Sequence, residues 1–143
     1  MKRLFAYWSV GTLAAITTFA CAGDLPTAPP NLKDVEAQGL HRLSSEELKP
    51  LLSGVVESKG TEGQHKLIYK PDGTVDRTGA GVRDLTGKWR IDDKNNAYCL
   101  AFSFKKGYQE NCFAVFRTSD GIHYFDYDIA NGFYAHVWRQ SSE

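Results

Sequence analysis

The sequence predicts a mainly β protein, an antiparallel meander curled into a small barrel or half-barrel with one short N-terminal helix. Three observations predict it. Short runs rich in aromatic and β-branched residues recur from residue 55 to residue 139. Turn signals separate most of them, the strongest being Pro71-Asp72-Gly73, Ser119-Asp120-Gly121 and Asn131-Gly132, each with a residue that tolerates positive φ where the chain reverses. Two cysteines, Cys99 and Cys112, fall in neighbouring runs of this kind.

The chain opens with Met1-Lys2-Arg3 and an uncharged, mostly apolar stretch over residues 4–19, followed by Ala20-Cys21-Ala22. A basic start, an apolar middle and small residues at the cleavage positions have the order of a secretory signal. The reading is a signal peptide over residues 1–22, cut between Ala22 and Gly23, and a periplasmic or secreted mature protein. Two alternatives stay open. One is an uncleaved anchor, for which the apolar run is barely long enough. The other is lipidation of Cys21, although Thr18-Phe19-Ala20 lacks the aliphatic residue that lipoprotein signals favour three positions back.

The full chain of 143 residues has a formal charge of zero; without Lys2 and Arg3 the rest carries 15 basic against 17 acidic residues. A mildly acidic chain is a poor nucleic-acid partner. No run after residue 22 is long and apolar enough to predict a transmembrane segment. Residues 23–40 hold three of the five prolines, Pro26, Pro29 and Pro30, and read as an extended arm or linker. Residues 41–143 read as a single β-barrel-like domain, the size one core supports.

The domain begins with a helix signal. Ser44 stands as N-cap, Glu47 completes a capping box three residues on, and Leu43 with Leu48 forms a hydrophobic staple. Leu48, Leu51 and Leu52 share one face, so the helix is expected to lie against the sheet. Pro50 limits it to two turns. The expected strands then cover residues 55–56, 66–70, 74–77, 87–91, 98–104, 111–117, 122–127 and 133–139. Neighbours pair antiparallel, and curling the sheet or covering an edge with the helix protects its borders.

Within this meander Lys105-Lys106-Gly107 turns residues 98–104 and 111–117 into a hairpin that sets Cys99 and Cys112 roughly opposite one another. A disulfide there is sterically feasible and is expected to contribute about 3 kcal/mol by loop closure. The spacing is not the Cys-x-x-Cys of a redox pair. Strand alternation puts Leu100, Phe102 and Phe104 on one face of the first strand and Phe113 with Val115 on one face of the second. The large side chains then fill the interior, with Trp89 also inward. Both cysteines lie outside with Ala97, Ala101 and Ala114, leaving a shallow surface on which a helix or the arm could pack.

Chemistry is sparse. His41, His65, His123 and His136 show no metal-ligand spacing, so no metal or cofactor is expected. His123 and His136 could approach across the last hairpin, though a one-residue slip would separate them. The carboxylate pairs Asp92-Asp93 and Asp126 with Asp128 adjoin turn signals and read as solvated. Without a G-x-S-x-G elbow or a free thiol, no enzyme is expected. The crowding of aromatics in the C-terminal half is the feature that could serve binding, and the candidate ligand contacts are Trp89, Tyr98, Phe102, Tyr124, Tyr134 and Trp138.

Tyr69-Lys70-Pro71-Asp72-Gly73-Thr74, then Gly87-Lys88-Trp89-Arg90-Ile91, Tyr98-Cys99, Cys112 and Val137-Trp138-Arg139 carry a resemblance. Over residues 43–139 the chain resembles a family of uncharacterised small exported bacterial β-barrel proteins, a domain of unknown function of lipocalin-like shape. In that family an Asp-Gly-Thr turn precedes a Gly-x-Trp strand and two later cysteines. The resemblance implies a fold and no activity. The Gly-x-Trp element also looks like the lipocalin signature, but lies mid-chain instead of on the first strand. The expected function is a binding protein that holds a small apolar ligand or docks on an envelope partner. The alternative is a protein-interaction or enzyme-inhibitor protein using loops such as residues 59–64 or 105–109.

Overall fold

A computed structural model describes residues 27–28, 31–60, 63–79, 83–104 and 107–141; the expected signal peptide lies outside the described residues. The elements in chain order are α1 (Leu32–Glu36), β1 (His41–Arg42), α2 (Ser45–Leu51), β2 (Gly54–Gly60), β3 (Gly63–Tyr69), β4 (Thr74–Thr78), β5 (Leu85–Asp92), β6 (Ala97–Phe104), β7 (Gly107–Arg117), β8 (Tyr124–Asp128) and β9 (Phe133–Gln140).

The eight strands β2 to β9 form a closed antiparallel barrel. Each pairs with the next in sequence, and β9 returns to β2, from Val56 opposite Gln140 to Gly60 opposite His136. Closure removes the open edges that a meander of this length would otherwise present. The short strand β1 extends the β6 side of β7, with His41 opposite Arg117 and Arg42 opposite Phe116, beyond Phe113, where the β6–β7 pairing stops.

Helix α2 forms where the capping signal lies. The Ser44 side chain accepts from the Glu47 backbone N–H, and the Glu47 carboxylate accepts from the Ser44 backbone N–H. Two orphan amides of the first turn are thereby satisfied. Pro50 sits in the last turn, and the helix stops after seven residues. Leu48 and Leu52 are fully buried with Leu43, in one cluster with Val56, Val75 and Val115. Ser45 ties α2 to the β5–β6 turn by donating its backbone N–H to Asn96 Oδ1, and Gln140 donates to the carbonyls of Pro50 and Leu51. The helix is therefore a plug over the end of the barrel where β2 begins and β9 finishes.

The inner face follows the expected alternation: Tyr98, Leu100, Phe102, Phe113 and Val115 all belong to the interior cluster; the side chain of Phe104 lies outside the described residues. A second cluster occupies the outer face, with Val35 of α1 seated on Ala114, Phe116, Tyr127 and Tyr134. Part of the stretch expected to be an extended arm is therefore helical. Its signal was the N-cap alone, Asn31, whose side chain accepts from the Asp34 N–H. A five-residue helix shows no period and is held by the surface it covers.

Candidate functional site

Cys99 and Cys112 are direct partners in the β6–β7 ladder and are joined by a disulfide, with Cα atoms 4.0 Å apart. The bond lies on the outer face, flanked by the ion pair of Arg90 with Glu110, whose N–O distance is 2.7 Å.

Of the six aromatic residues singled out as ligand contacts, five belong to or pack on the interior cluster and Tyr134 does not. Tyr98, Phe102, Tyr124 and Trp138 point into the barrel and pack there: Tyr124 stacks on Trp138 at 4.5 Å, and Tyr98 leans on Phe113 at 5.4 Å between ring centroids. Phe102 lies over Gly87, its partner across the ladder, where an added Cβ would come within 2.6 Å of the ring. Trp89 is only partly buried at the edge of the interior cluster; its Nε1 donates to the Lys70 carbonyl and its ring meets Tyr69 edge-on. Tyr134 is on the other side of the wall, beneath α1, donating to Gln38 Oε1. The cause is a bulge in the last hairpin, where Asp126 faces His136 but Tyr127 faces Tyr134. The extra residue, Ala135, breaks the alternation that would have put Tyr134 beside His136 and Trp138.

Among the inward side chains is a carboxylate. Asp126 is 1% exposed, and its Oδ2 accepts from the Tyr98 hydroxyl and its Oδ1 from Trp138 Nε1, both at 2.5 Å. Two buried donors aimed at separate oxygens make the carboxyl group a shared acceptor for two strands. Burial first, and then the nearby Asp126 charge, push the Tyr98 hydroxyl well above the usual tyrosine range. The Tyr69 hydroxyl moves the same way for the same reasons. Both phenols stay protonated.

The expectation that Asp126 and Asp128 are solvated is thus corrected. Asp128 is also 1% exposed, and accepts from the backbone N–H groups of Ala130 and Asn131 and from the Asn131 side chain, which fixes the β8–β9 turn. The adjoining turn did predict an acidic residue, but one that bonds inward to the turn instead of outward to water.

Around Asp126 the interior turns polar toward the end of the barrel opposite α2. His136 Nδ1 stands 3.4 Å from Asp126 Oδ2 without a hydrogen bond between them. The rings of His65 and His136 meet edge to face at 5.7 Å, and Phe113 packs on His136 at 5.6 Å. Ser58, opposite His65 in the β2–β3 ladder, is buried, and its Oγ has no hydrogen-bond partner among the described residues. His123 has no part in this cluster; it precedes β8, with its Nδ1 2.6 Å from Asp120 Oδ2. The structure therefore pairs His136 with His65 and Asp126, across strands whose register the sequence did not specify.

Shallow hollows mark the surface of the described residues. One, about 430 Å³, lies beside the disulfide and is lined by Leu32, Arg42, Asp92, Lys94, Cys112 and Ile129 among others; the second, about 260 Å³, lies between β4 and β5 around Asp76, Arg77 and Thr86. Neither is lined by Tyr98, Tyr124, Asp126 or Trp138. Three donor groups converge closely enough to share a metal ion at Cys99, Glu110 and Cys112, where the disulfide already occupies both sulfurs. No described helix is long and apolar enough to cross a membrane. Comparison of the chain with protein-family models, with curated proteins and with solved structures finds no match.

Proposed function

We propose that the protein is an exported recognition module, a non-enzymatic barrel that meets its partner through its outer surface instead of enclosing an apolar ligand. The observation that carries this reading is the use of the interior rings. An eight-stranded barrel has room either for its own side chains or for one small ligand, and here Tyr98, Phe102, Tyr124 and Trp138 are all buried against one another or against neighbouring strands. The outer wall offers what a docking face needs: a hollow beside the disulfide with Arg42, Lys94 and Asp92 around its rim, and exposed apolar groups, Ile129 and Phe133, on the β8–β9 turn beside it. Mixed charge around an apolar centre is the usual composition of such a surface. Both oxygens of Asp126 are taken by Tyr98 and Trp138, which supports a structural role for that carboxylate over a general-base role. Export itself rests on the leader and on a disulfide that persists in oxidising compartments.

Native mass spectrometry of the mature chain from its own periplasm or medium, combined with photo-crosslinking from position 129 and from position 66 on β3, tests the reading. A chain lighter than the reduced form by two hydrogens, crosslinking to a protein from position 129 and not from position 66, is the expected result. Release of an apolar small molecule on unfolding would overturn it and restore the carrier reading.

A further inference from the structure

We propose that His65 and His136 form a binding site for a single divalent transition-metal ion of the Zn²⁺ class, with Asp126 holding His136 in position. This inference is independent of how the outer surface is used. An ion bound by side chains needs far less room than an organic guest. The donors present are imidazole nitrogens, which suit Zn²⁺, Cu²⁺ and Ni²⁺ better than the hard cations that prefer all-oxygen sites.

Three features of the geometry point to it. The first is orientation. A metal-ligating histidine commonly gives its second ring nitrogen to a carboxylate, which fixes the tautomer and raises ligand basicity. His136 Nδ1 faces Asp126 Oδ2 at 3.4 Å without a hydrogen bond between them, so a slight approach of the ring would complete this arrangement. Its Nε2 then lies over β2, where a Cβ on Gly60 would come within 3.4 Å of that atom and 2.7 Å of the ring carbon beside it. The absence of a side chain at Gly60, opposite His136 in the ladder, makes the space for this ring. The second is convergence. His65 stands on β3, the next strand beyond β2, and its ring centroid is 5.7 Å from that of His136. Two imidazoles on one tetrahedral ion, with Zn–N bonds of about 2.0–2.1 Å, have centroids about 5 Å apart, so a small rotation of the rings completes the pair. The third is charge and unmet polarity. Asp126 is buried with hydrogen bonds only from the neutral donors Tyr98 and Trp138, and no cationic side chain among the described residues is bonded to it. Ser58 Oγ is buried beside His65 with no hydrogen-bond partner among the described residues, as expected where a metal-bound water would sit. The His136 side chain is 24% exposed, so an ion can reach it from solvent.

The test is a calorimetric titration of the disulfide-intact mature chain with Zn²⁺, with the imidazole signals followed by NMR. The expected result is one ion per chain, shifting the His65 and His136 signals and leaving those of His41 and His123 in place. His136→Ala, at a part-exposed position, should weaken binding about tenfold or more, and Asp126→Asn by roughly 10–100-fold through loss of orientation. Zn²⁺ should raise the melting temperature of the parent chain and not that of the His136→Ala variant. Unchanged affinity in His136→Ala, shifts confined to His41 or His123, or no binding at about 1 mM Zn²⁺, well above the dissociation constant of any specific site, would overturn the proposal. His65→Phe preserves the buried volume as a second variant; should it fail to fold, His136→Ala and the NMR shifts decide alone.

Discussion

At the end of the barrel covered by α2, Leu43, Leu48 and Leu52 are fully buried and meet Val56, Val75 and Val115. At the opposite end the same β2, β3 and β9 carry Ser58, His65 and His136, with Gly60 lying beneath the His136 ring. Asp126 sits between the two, tied by Trp138 to the stack with Tyr124 and turned toward His136 on its other side. The difference teaches where cohesion and chemistry reside in so small a barrel. Apolar burial scales with area and buried polar atoms need partners, so one end supplies stability and leaves the other to carry polar groups that cost it.

That contrast can be broken most severely at its midpoint. Asp126→Ala leaves the Tyr98 hydroxyl and Trp138 Nε1 buried without an acceptor, and at about 1–3 kcal/mol for each orphaned donor the loss should be roughly 3–5 kcal/mol in urea unfolding. A loss under about 1 kcal/mol would mean that water replaces the carboxylate and that the two ends are not joined through it. Leu48→Ala should cost about 3 kcal/mol, within the usual range for a buried leucine, without moving the His65 and His136 NMR signals; movement there would show that plug and polar end are one unit. The smallest effect belongs to the cap. Ser44→Ala should cost about 1 kcal/mol. The same cap, through the backbone N–H of Ser44 first and the His41 contact next, lowers the Glu47 carboxyl to about 2. A lowered folded-state value stabilises the fold above the unfolded value of 4.5 and is lost as pH falls toward about 2. Acid unfolding of the parent should therefore show a component in that window that Glu47→Gln lacks, small because the group is well solvated.

The barrel was legible because its signals were local. The turns at Asp72-Gly73 and Asn131-Gly132, the capping box at Ser44 and Glu47, and the alternation of Tyr98, Leu100 and Phe102 against Cys99 and Ala101 each needed only a few residues of context. The candidate site was not legible for the opposite reason. His65 and His136 are 71 residues apart in a chain whose spacing suggests no pair, and they meet because β2 lies between their strands after closure. The bulge at Ala135 cannot be read from composition, yet it decides that Tyr134 faces α1 while His136 faces Asp126. Asp126 was misplaced because an acid near a turn is more often exposed; only the donors Tyr98 and Trp138, 28 and 12 residues away, account for its burial.

The pairing of β9 with β2 has a kinetic consequence. Every other contact between barrel strands joins neighbours in sequence and can form as a local hairpin, whereas this seam brings Glu57 to Arg139, 82 residues away, with an ion pair across it. Non-local pairing is the slow part of folding, and the disulfide, spanning a sequence separation of 13 within one hairpin, leaves the entropy of closing the seam untouched. Until the seam zips, β2 and β9 are bare edges able to recruit the same strands from another chain. The interval before closure is when aggregation competes with the native barrel.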